Sequence, residues 1–354
     1  MNIVIKFGTS TLINEKGEPR KNIYNTIAST VTKLNTENRI TIVASGAAMI
    51  GSKILNLKER PKKIDELQVA SSLGQVGLMN SFIDAFDTFN VRVSQVLLTK
   101  NILEDRSQYL NTKTTLNSLY EKNIIPVINE NDTVSTEELS YGDNDRLSAM
   151  VAQIVEADKL IIFTDTDGLF SDNPEKFEDT NLIKSIEYRS EQLEEIIKTA
   201  ESKKGVGGFT TKILAGQIAG YSGIDTHITK WDTGSLEAIL NGKKIGTYIS
   251  PSNKKVPSRK LWIGFGMVST GEVTIDNGAK NALVKENASL LYKGIINLSS
   301  DIKKGDCVTV FDLEGSPIAK GISDWTSVEM KEAIKTDSKE SSKPVLHKDN
   351  LIIL

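Results

Sequence analysis

A run of short apolar segments, each followed by a helical pattern, limits what this chain can fold into more than anything else in it. Asn2 to Phe7, Arg39 to Ala44, Val91 to Leu98, Ile124 to Ile128 and Lys159 to Phe163 read as buried strands. Most are almost continuously apolar, as strands covered on both faces are. Lys21 to Leu34, Leu67 to Phe89, Leu110 to Tyr120 and Asp145 to Glu156 carry helical spacing between them. Parallel neighbours need a long crossover, usually a helix, so this alternation predicts an α/β three-layer sandwich with a mainly parallel sheet. In open sheets of this kind ligands bind beyond the carboxyl ends of the strands, and the polar clusters of the chain fall there.

At 354 residues there is room for a second, smaller domain. After residue 230 the texture changes. Asn241 to Lys260 holds Lys243, Lys244, Lys254, Lys255, Arg259 and Lys260, with Pro251 and Pro257 and no acid, and reads as a basic linker or crossing segment. Short alternating strands follow at Gly271 to Asp276, Cys307 to Phe311 and Pro317 to Gly321, with few helical patterns. The predicted division is residues 1–245, a linker at 246–264, and a small β-rich domain at 265–354. Lys335 to Lys343 is polar enough to form a mobile loop.

Several function classes are disfavoured. A formal net charge of -3 gives no general attraction to nucleic acid or anionic membrane. No apolar run approaches the roughly 18 residues of a membrane span, and MNIVIKFGTS enters a strand at once without the regions of a signal peptide. A cytoplasmic setting is the simplest expectation. Cys307 is the only cysteine, which excludes an internal disulfide and a cysteine metal cluster. The two histidines, His227 and His347, are expected at the surface or in satisfied structural positions.

The stretch Ile128 to Ala149 packs Asn129, Asn131, Asp132, Asp143, Asn144 and Asp145 just past a predicted strand. Buried polar groups persist where something binds them, so the cluster suits a metal-assisted site or recognition of a zwitterionic small molecule. The bland alternative is a turn-rich solvated loop. Lys6-Phe7-Gly8-Thr9-Ser10 ends the first strand with a lysine, a glycine turn and hydroxyls that suit a phosphate. Gly46 and Gly51 have P-loop spacing, but Ser52 precedes Lys53, the reverse of the P-loop order, and that motif is rejected. What remains is a close-approach turn in which Ser45 and nearby amides can hold a carboxylate. Thr164-Asp165-Thr166-Asp167-Gly168 follows the fifth strand; Asp165 is placed to orient lysines or face a metal, and Asp167-Gly168 is a turn. In Lys204-Gly205-Val206-Gly207-Gly208-Phe209-Thr210-Thr211-Lys212, Thr210 and Thr211 are expected to cap a helix over Ile213 to Tyr221. Lys212 in its first turn would oppose the helix dipole, which favours a role on a phosphoryl group.

Together these segments resemble the amino acid kinase family, in order and spacing, over nearly all of residues 1 to about 240. The residues that carry the resemblance are Lys6 to Ser10, Ala44 to Ala47, Asn129 to Asp132, Gly142 to Asp145, Thr164-Asp165 and Gly207 to Lys212. The tail from about residue 265 is similar to the PUA module, otherwise known from RNA-modifying enzymes. The resemblance implies ATP-dependent phosphorylation of the side-chain carboxylate of L-glutamate, the first step of proline synthesis. It implies glutamate at Ser45, Asp132 and Asn144 with Asn129 nearby. ATP would be held by Lys6, Gly8, Thr164, Asp165, Gly207, Gly208, Phe209, Thr210, Thr211 and Lys212, and Mg²⁺ would arrive with the nucleotide. Lys6, Lys212 and Asp145 would form the catalytic set, with Thr133 to Tyr141 as a loop over the glutamate pocket. A homo-oligomer and feedback by proline are implied as well. Two alternatives stand beside this reading: a family member acting on a different carboxylate acceptor, and an RNA-binding or regulatory protein that uses its tail.

Overall fold

A computed structural model describes residues 1–57, 59–99, 105–134, 143–171, 180–190, 193, 196, 207–253, 256–299, 301–336 and 343–354. The chain separates into two compact units, Met1–Lys255 and Val256–Leu354.

The first unit is built on an eight-stranded sheet. Its strands are β1 (Asn2–Phe7), β2 (Arg39–Ala44), β3 (Val93–Leu98), β4 (Ile125–Glu130), β5 (Lys159–Thr164), β6 (Ser185–Glu187), β7 (Asp225–Lys230) and β8 (Thr247–Ser250). They lie in the order β3-β4-β2-β1-β5-β7-β8-β6, parallel at every pairing except β7 with β8. From β1 the chain passes to β2, on to β3 at the edge and back to β4 between them, then crosses to the other side of β1 at β5. The topological switch point of the sheet therefore lies between β1 and its two neighbours, where doubly wound folds bind ligands.

Alternation along β1 assigns its side chains to two layers. Ile3, Ile5 and Phe7 join the core formed with α1 (Thr9–Leu12), α2 (Lys21–Leu34) and α4 (Ile64–Asp87), while Lys6 faces the opposite side, toward α6 (Asp143–Ile154). Helix α2 buries Tyr24, Ile27, Ala28 and Val31, the i, i+3, i+4, i+7 stripe that makes it amphipathic. Phe7 and Phe163 stack at 5.3 Å and Trp231 meets both edge-on, which ties together the ends of β1, β5 and β7. Helix α3 (Ala47–Ile54) and α4 cross at the closest possible approach: a Cβ on Gly51 would stand 1.7 Å from the Ala70 carbonyl oxygen, and one on Gly74 1.8 Å from that of Ala47. Gly51 therefore serves helix packing, which agrees with the rejection of a P-loop.

Strand β7 has no counterpart among the predicted strands. It reads Asp-Thr-His-Ile-Thr-Lys, yet Thr226, His227, Ile228 and Thr229 are all buried. Burial keeps the His227 imidazole neutral, with its pKa pulled down to about 4. Within the segment read as a basic linker, Thr247–Ser250 form β8, and the Thr247 hydroxyl accepts from the Leu169 amide at 2.8 Å. Helix α5 (Arg106–Glu121) begins earlier than its apolar spacing suggests because Asp105 caps it, accepting from the amides of Ser107 (2.7 Å) and Gln108 (3.1 Å).

The second unit holds a five-stranded sheet of β9 (Gly271–Ile275), β10 (Ile295–Leu298), β11 (Cys307–Phe311), β12 (Pro317–Ser323) and β13 (Leu346–Ile353), in the order β10-β9-β11-β12-β13. Only β9 with β11 is parallel. It has a core of its own around Val273, Val308, Val310, Trp325, Met330 and Leu346. Two ten-residue helices, Asn277–Glu286 and Ser327–Thr336, make it richer in helix than its sequence pattern suggested. The second opens on a capping box: Thr326 N–H donates to Glu329 at 2.7 Å and Glu329 N–H to the Thr326 hydroxyl at 3.3 Å.

Candidate active site

At the carboxyl edge of the sheet, Asp145 is fully buried near the start of α6. Lys6 Nζ lies 2.5 Å from its Oδ1 and Lys212 Nζ 3.3 Å from its Oδ2. The Thr211 hydroxyl donates to the same Oδ2 at 2.8 Å. Burial alone would raise the Asp145 pKa, but the charges of Lys6 and Lys212 and the bonds from Lys6 and Thr211 outweigh it and hold the group ionised. Lys6 is driven the other way: its burial outweighs the attraction of Asp145, and the nearby charge of Lys212 lowers its pKa further. Two lysines around one carboxylate leave a net positive centre with little solvent to screen it.

Helix α7 (Gly207–Tyr221) starts ahead of the expected Thr210-Thr211 cap. Thr210, Thr211 and Lys212 consequently lie inside the helix, with Lys212 in its second turn, and Lys212 Nζ also donates to the Gly208 carbonyl at 2.9 Å. Gly207 and Gly208 open the first turn, where the backbone can come close to an anion. Lys204 to Val206, which precede this helix, lie outside the described residues.

Thr164, at the end of β5, is buried and donates to Asp165 Oδ1 at 2.9 Å. Asp165 is exposed and forms no ion pair with either lysine among the described residues; it acts on Lys6 through space, favouring the charged amine. Gly8 N–H donates to the Phe163 carbonyl at 3.1 Å, which locks the turn after β1 to β5. The side chain of Asp143 lies outside the described residues, as do residues 135–142, most of the expected pocket loop.

On the other side of β1, Ser45 leads into α3, and Gly46 takes φ +119°, where a Cβ would stand 2.8 Å from Ile13. Asn144 Nδ2 donates to the Ser45 hydroxyl (2.9 Å), the Ala44 carbonyl (3.3 Å) and Asn129 Oδ1 (2.9 Å). Its own Oδ1 is buried and has no partner among the described residues. Such an acceptor is costly unless a ligand supplies a donor. Asp132, in the turn after β4, has its pKa raised by burial, partly offset by Ser71 and Arg60. Asn129, expected near the glutamate site, has its amide engaged by protein groups. Besides the bond from Asn144, Oδ1 accepts the Glu130 N–H (2.9 Å), and Nδ2 donates to Gln75 Oε1 (2.8 Å).

Sequence reading missed the part of α4. Ser71 and Gln75, one turn apart, interrupt its buried stripe at Leu67, Ala70, Gly74 and Leu78. Polar residues on the apolar face of a long helix were the signal available.

The arrangement sets an acceptor with no partner among the described residues, and the Asp132 carboxylate, on the same sheet edge as a positive centre. Among the described residues no group of three or more His, Cys, Asp or Glu side chains is placed to hold a metal ion, and no helix is long and apolar enough to cross a membrane.

Residues 1–230 match the amino acid kinase family, and residues 271–344 match the PUA domain. A glutamate 5-kinase of Thermoanaerobacter sp. (strain X514) is 39% identical over 364 residues, spanning 100% of this chain and 98% of its own. One from Caldanaerobacter subterraneus subsp. tengcongensis is 40% identical, covering 100% and 98%. One from Trichormus variabilis is 38% identical, covering 99% of each. A solved UMP kinase from Bacillus anthracis aligns with 72% of this chain and 98% of its own at 13% identity and a TM-score of 0.49. With a family match over most of its length and full-length relatives of this identity, the chain belongs to the amino acid kinase family and carries a PUA domain behind its kinase unit.

Proposed function

We propose that this chain is a glutamate 5-kinase, transferring the γ-phosphoryl group of ATP to the side-chain carboxylate of L-glutamate and so opening proline synthesis. The observation that carries the mechanism is Asp145, fully buried between Lys6 and Lys212 and next in sequence to Asn144, whose Oδ1 has no partner among the described residues.

The acceptor needs no general base, because a glutamate side chain with pKa about 4.3 is already ionised at neutral pH. One of its oxygens bonds to the γ-phosphorus as the bond to the β,γ-bridging oxygen breaks, and that electron pair leaves with ADP. Catalysis then rests on alignment and on positive charge where negative charge shifts. Lys6 and Lys212 supply the charge, and Asp145 with Thr211 fixes where their amines stand. Thr164, Asp165, Gly8 and the Gly207 to Lys212 turns hold the nucleotide. Asp132 and Asn144 Oδ1 take the glutamate ammonium group, and Ser45 with the amides that open α3 takes its α-carboxylate. Asn129 acts through Asn144. Mg²⁺ belongs to this reading as the companion of ATP, carried on the phosphate oxygens: both oxygens of Asp145 already face donors, which makes it a poor metal ligand.

The test is incubation with ATP, Mg²⁺ and hydroxylamine, which traps acyl phosphates as hydroxamates, with glutamate, aspartate and N-acetylglutamate compared as acceptors. Glutamate hydroxamate as the main product is expected; a preference for either other acceptor would overturn the assignment. Proline feedback, a homo-oligomeric state and a cytoplasmic location are further parts of the proposal. Titrating activity with proline at several glutamate concentrations tests the first, and no response at millimolar proline would remove it. Sedimentation equilibrium tests the second.

A further inference from the structure

We propose that Gln75, on α4, is a positioning residue of the acceptor site: it closes a relay of amides that holds Asn144 with its Oδ1 toward the substrate. The relay thereby sets a preference for an acceptor bearing an ammonium group over its deaminated counterpart. The inference rests on the glutamate kinase reading and deepens it.

The relay has a fixed direction. Gln75 Nε2 donates to Gln95 Oε1 at 3.0 Å, and Gln75 Oε1 accepts from Asn129 Nδ2 at 2.8 Å. Asn129 Oδ1 in turn accepts from Asn144 Nδ2 at 2.9 Å. Each amide could in principle be reversed, but two backbone groups forbid it. The Ala44 carbonyl, 3.3 Å from Asn144 Nδ2, can only accept, and the Glu130 N–H, 2.9 Å from Asn129 Oδ1, can only donate. With both amides pinned, Asn129 Nδ2 must face α4, and Gln75 Oε1 is the acceptor that meets it. The remaining valence is Asn144 Oδ1, buried and without a partner among the described residues. An acceptor held in this orientation rewards a ligand that brings N–H donors and penalises one that does not.

Gln75 can hold this position because α4 is not free to slide. Gly74, its neighbour, lies against the Ala47 carbonyl, where a Cβ would come within 1.8 Å, and Ala47 is two residues from Ser45. The helix that carries Gln75 is thereby registered to the turn that carries Ser45. Gln75 itself is only half-buried, and methionine in its place keeps length and helix propensity while removing the acceptor.

The experiment uses the full chain as wild type, Gln75→Met and Gln75→Glu in the hydroxamate assay, with glutarate as a competitor of glutamate. In Gln75→Met the KM for glutamate is expected to rise about tenfold with kcat held within about threefold, the scale of one weakened hydrogen bond to a charged group. The inhibition constant of glutarate, which has no ammonium group, is expected to stay put. Gln75→Glu still offers an oxygen to Asn129 and should recover most of the loss. A glutamate KM within about twofold of wild type in Gln75→Met overturns the proposal. So does a parallel rise for glutamate and glutarate, which would mark a general loosening of the pocket. Should Gln75→Met fail to fold by circular dichroism, Gln75→Ala carries the same comparison. Absence of glutamate hydroxamate from the wild-type chain is a separate result: it defeats the kinase reading before any variant is compared.

Discussion

Asp145 gathers both lysines with one carboxylate, and its neighbours can be told apart by what their removal does. Lys212→Ala takes away charge that matters only while the phosphoryl group is in transit, so kcat is expected to fall by about a hundredfold or more with little change in glutamate KM. Steady-state kinetics would refute the assignment by returning an unaltered kcat. Asp132→Ala should do the reverse, raising glutamate KM by about tenfold to a hundredfold as the ammonium loses a charged partner. Lys6 adds a pH signature. Burial lowers its pKa, so it gives up its proton as pH rises through a value below the ordinary lysine range of about 10.4. Activity should therefore decline on the alkaline side before a normal lysine would titrate. Lys6→Arg, whose guanidinium stays protonated, should move that limb upward whatever its cost in kcat. Coincident alkaline limbs in the two proteins would show that Lys6 does not control it.

Helix α4 is the element whose part in the site was least legible. Its apolar spacing announced a helix, but nothing in a single sequence says which turn of it lies under Ser45. The registration comes from Gly51 and Gly74, whose missing side chains let α3 and α4 touch backbone to backbone. In Gly74→Ala the methyl group has no room, and overpacking of this kind costs about 1–3 kcal/mol. The variant should melt lower and show a raised glutamate KM, because relief of the clash must displace Ala47 and with it Ser45. Differential scanning calorimetry with kinetics checks both, and an unchanged KM in a destabilised protein would separate the crossing from the site. By contrast β1, β2 and α2 were readable to the residue, since continuous Ile and Val runs and an i, i+3, i+4, i+7 stripe leave few other structures. Strand β7 escaped because its buried face is made of Thr and His, whose burial depends on neighbours far away in sequence. The start of α7 escaped because Gly207 and Gly208, poor helix formers, open it. Lys6, Asp145 and Lys212 could be named from the sequence, whereas the way the two oxygens of Asp145 divide between the two amines needed the fold.

At the scale of the whole molecule, every residue assigned to chemistry lies within Met1–Lys255, and that unit closes its own sheet and core. The second unit likewise has its own five-stranded sheet around Val308, Val310, Met330 and Leu346. Two hydrophobic cores of this kind can each support a folded domain, since a chain of about 100 residues is long enough to bury one. A fragment of residues 1–255 is therefore expected to fold and to make glutamate hydroxamate with a kcat within about tenfold of the full chain, while residues 256–354 fold alone without activity. Circular dichroism melts of both fragments, with the hydroxamate assay on each, decide the matter. A folded but inactive 1–255 would mean that the PUA unit contributes to catalysis, directly or through assembly. An unfolded 1–255 would mean that its core depends on contacts made by the tail. Activity retained in 1–255 places the chemistry wholly in the kinase unit and leaves the PUA domain available for regulation or recognition.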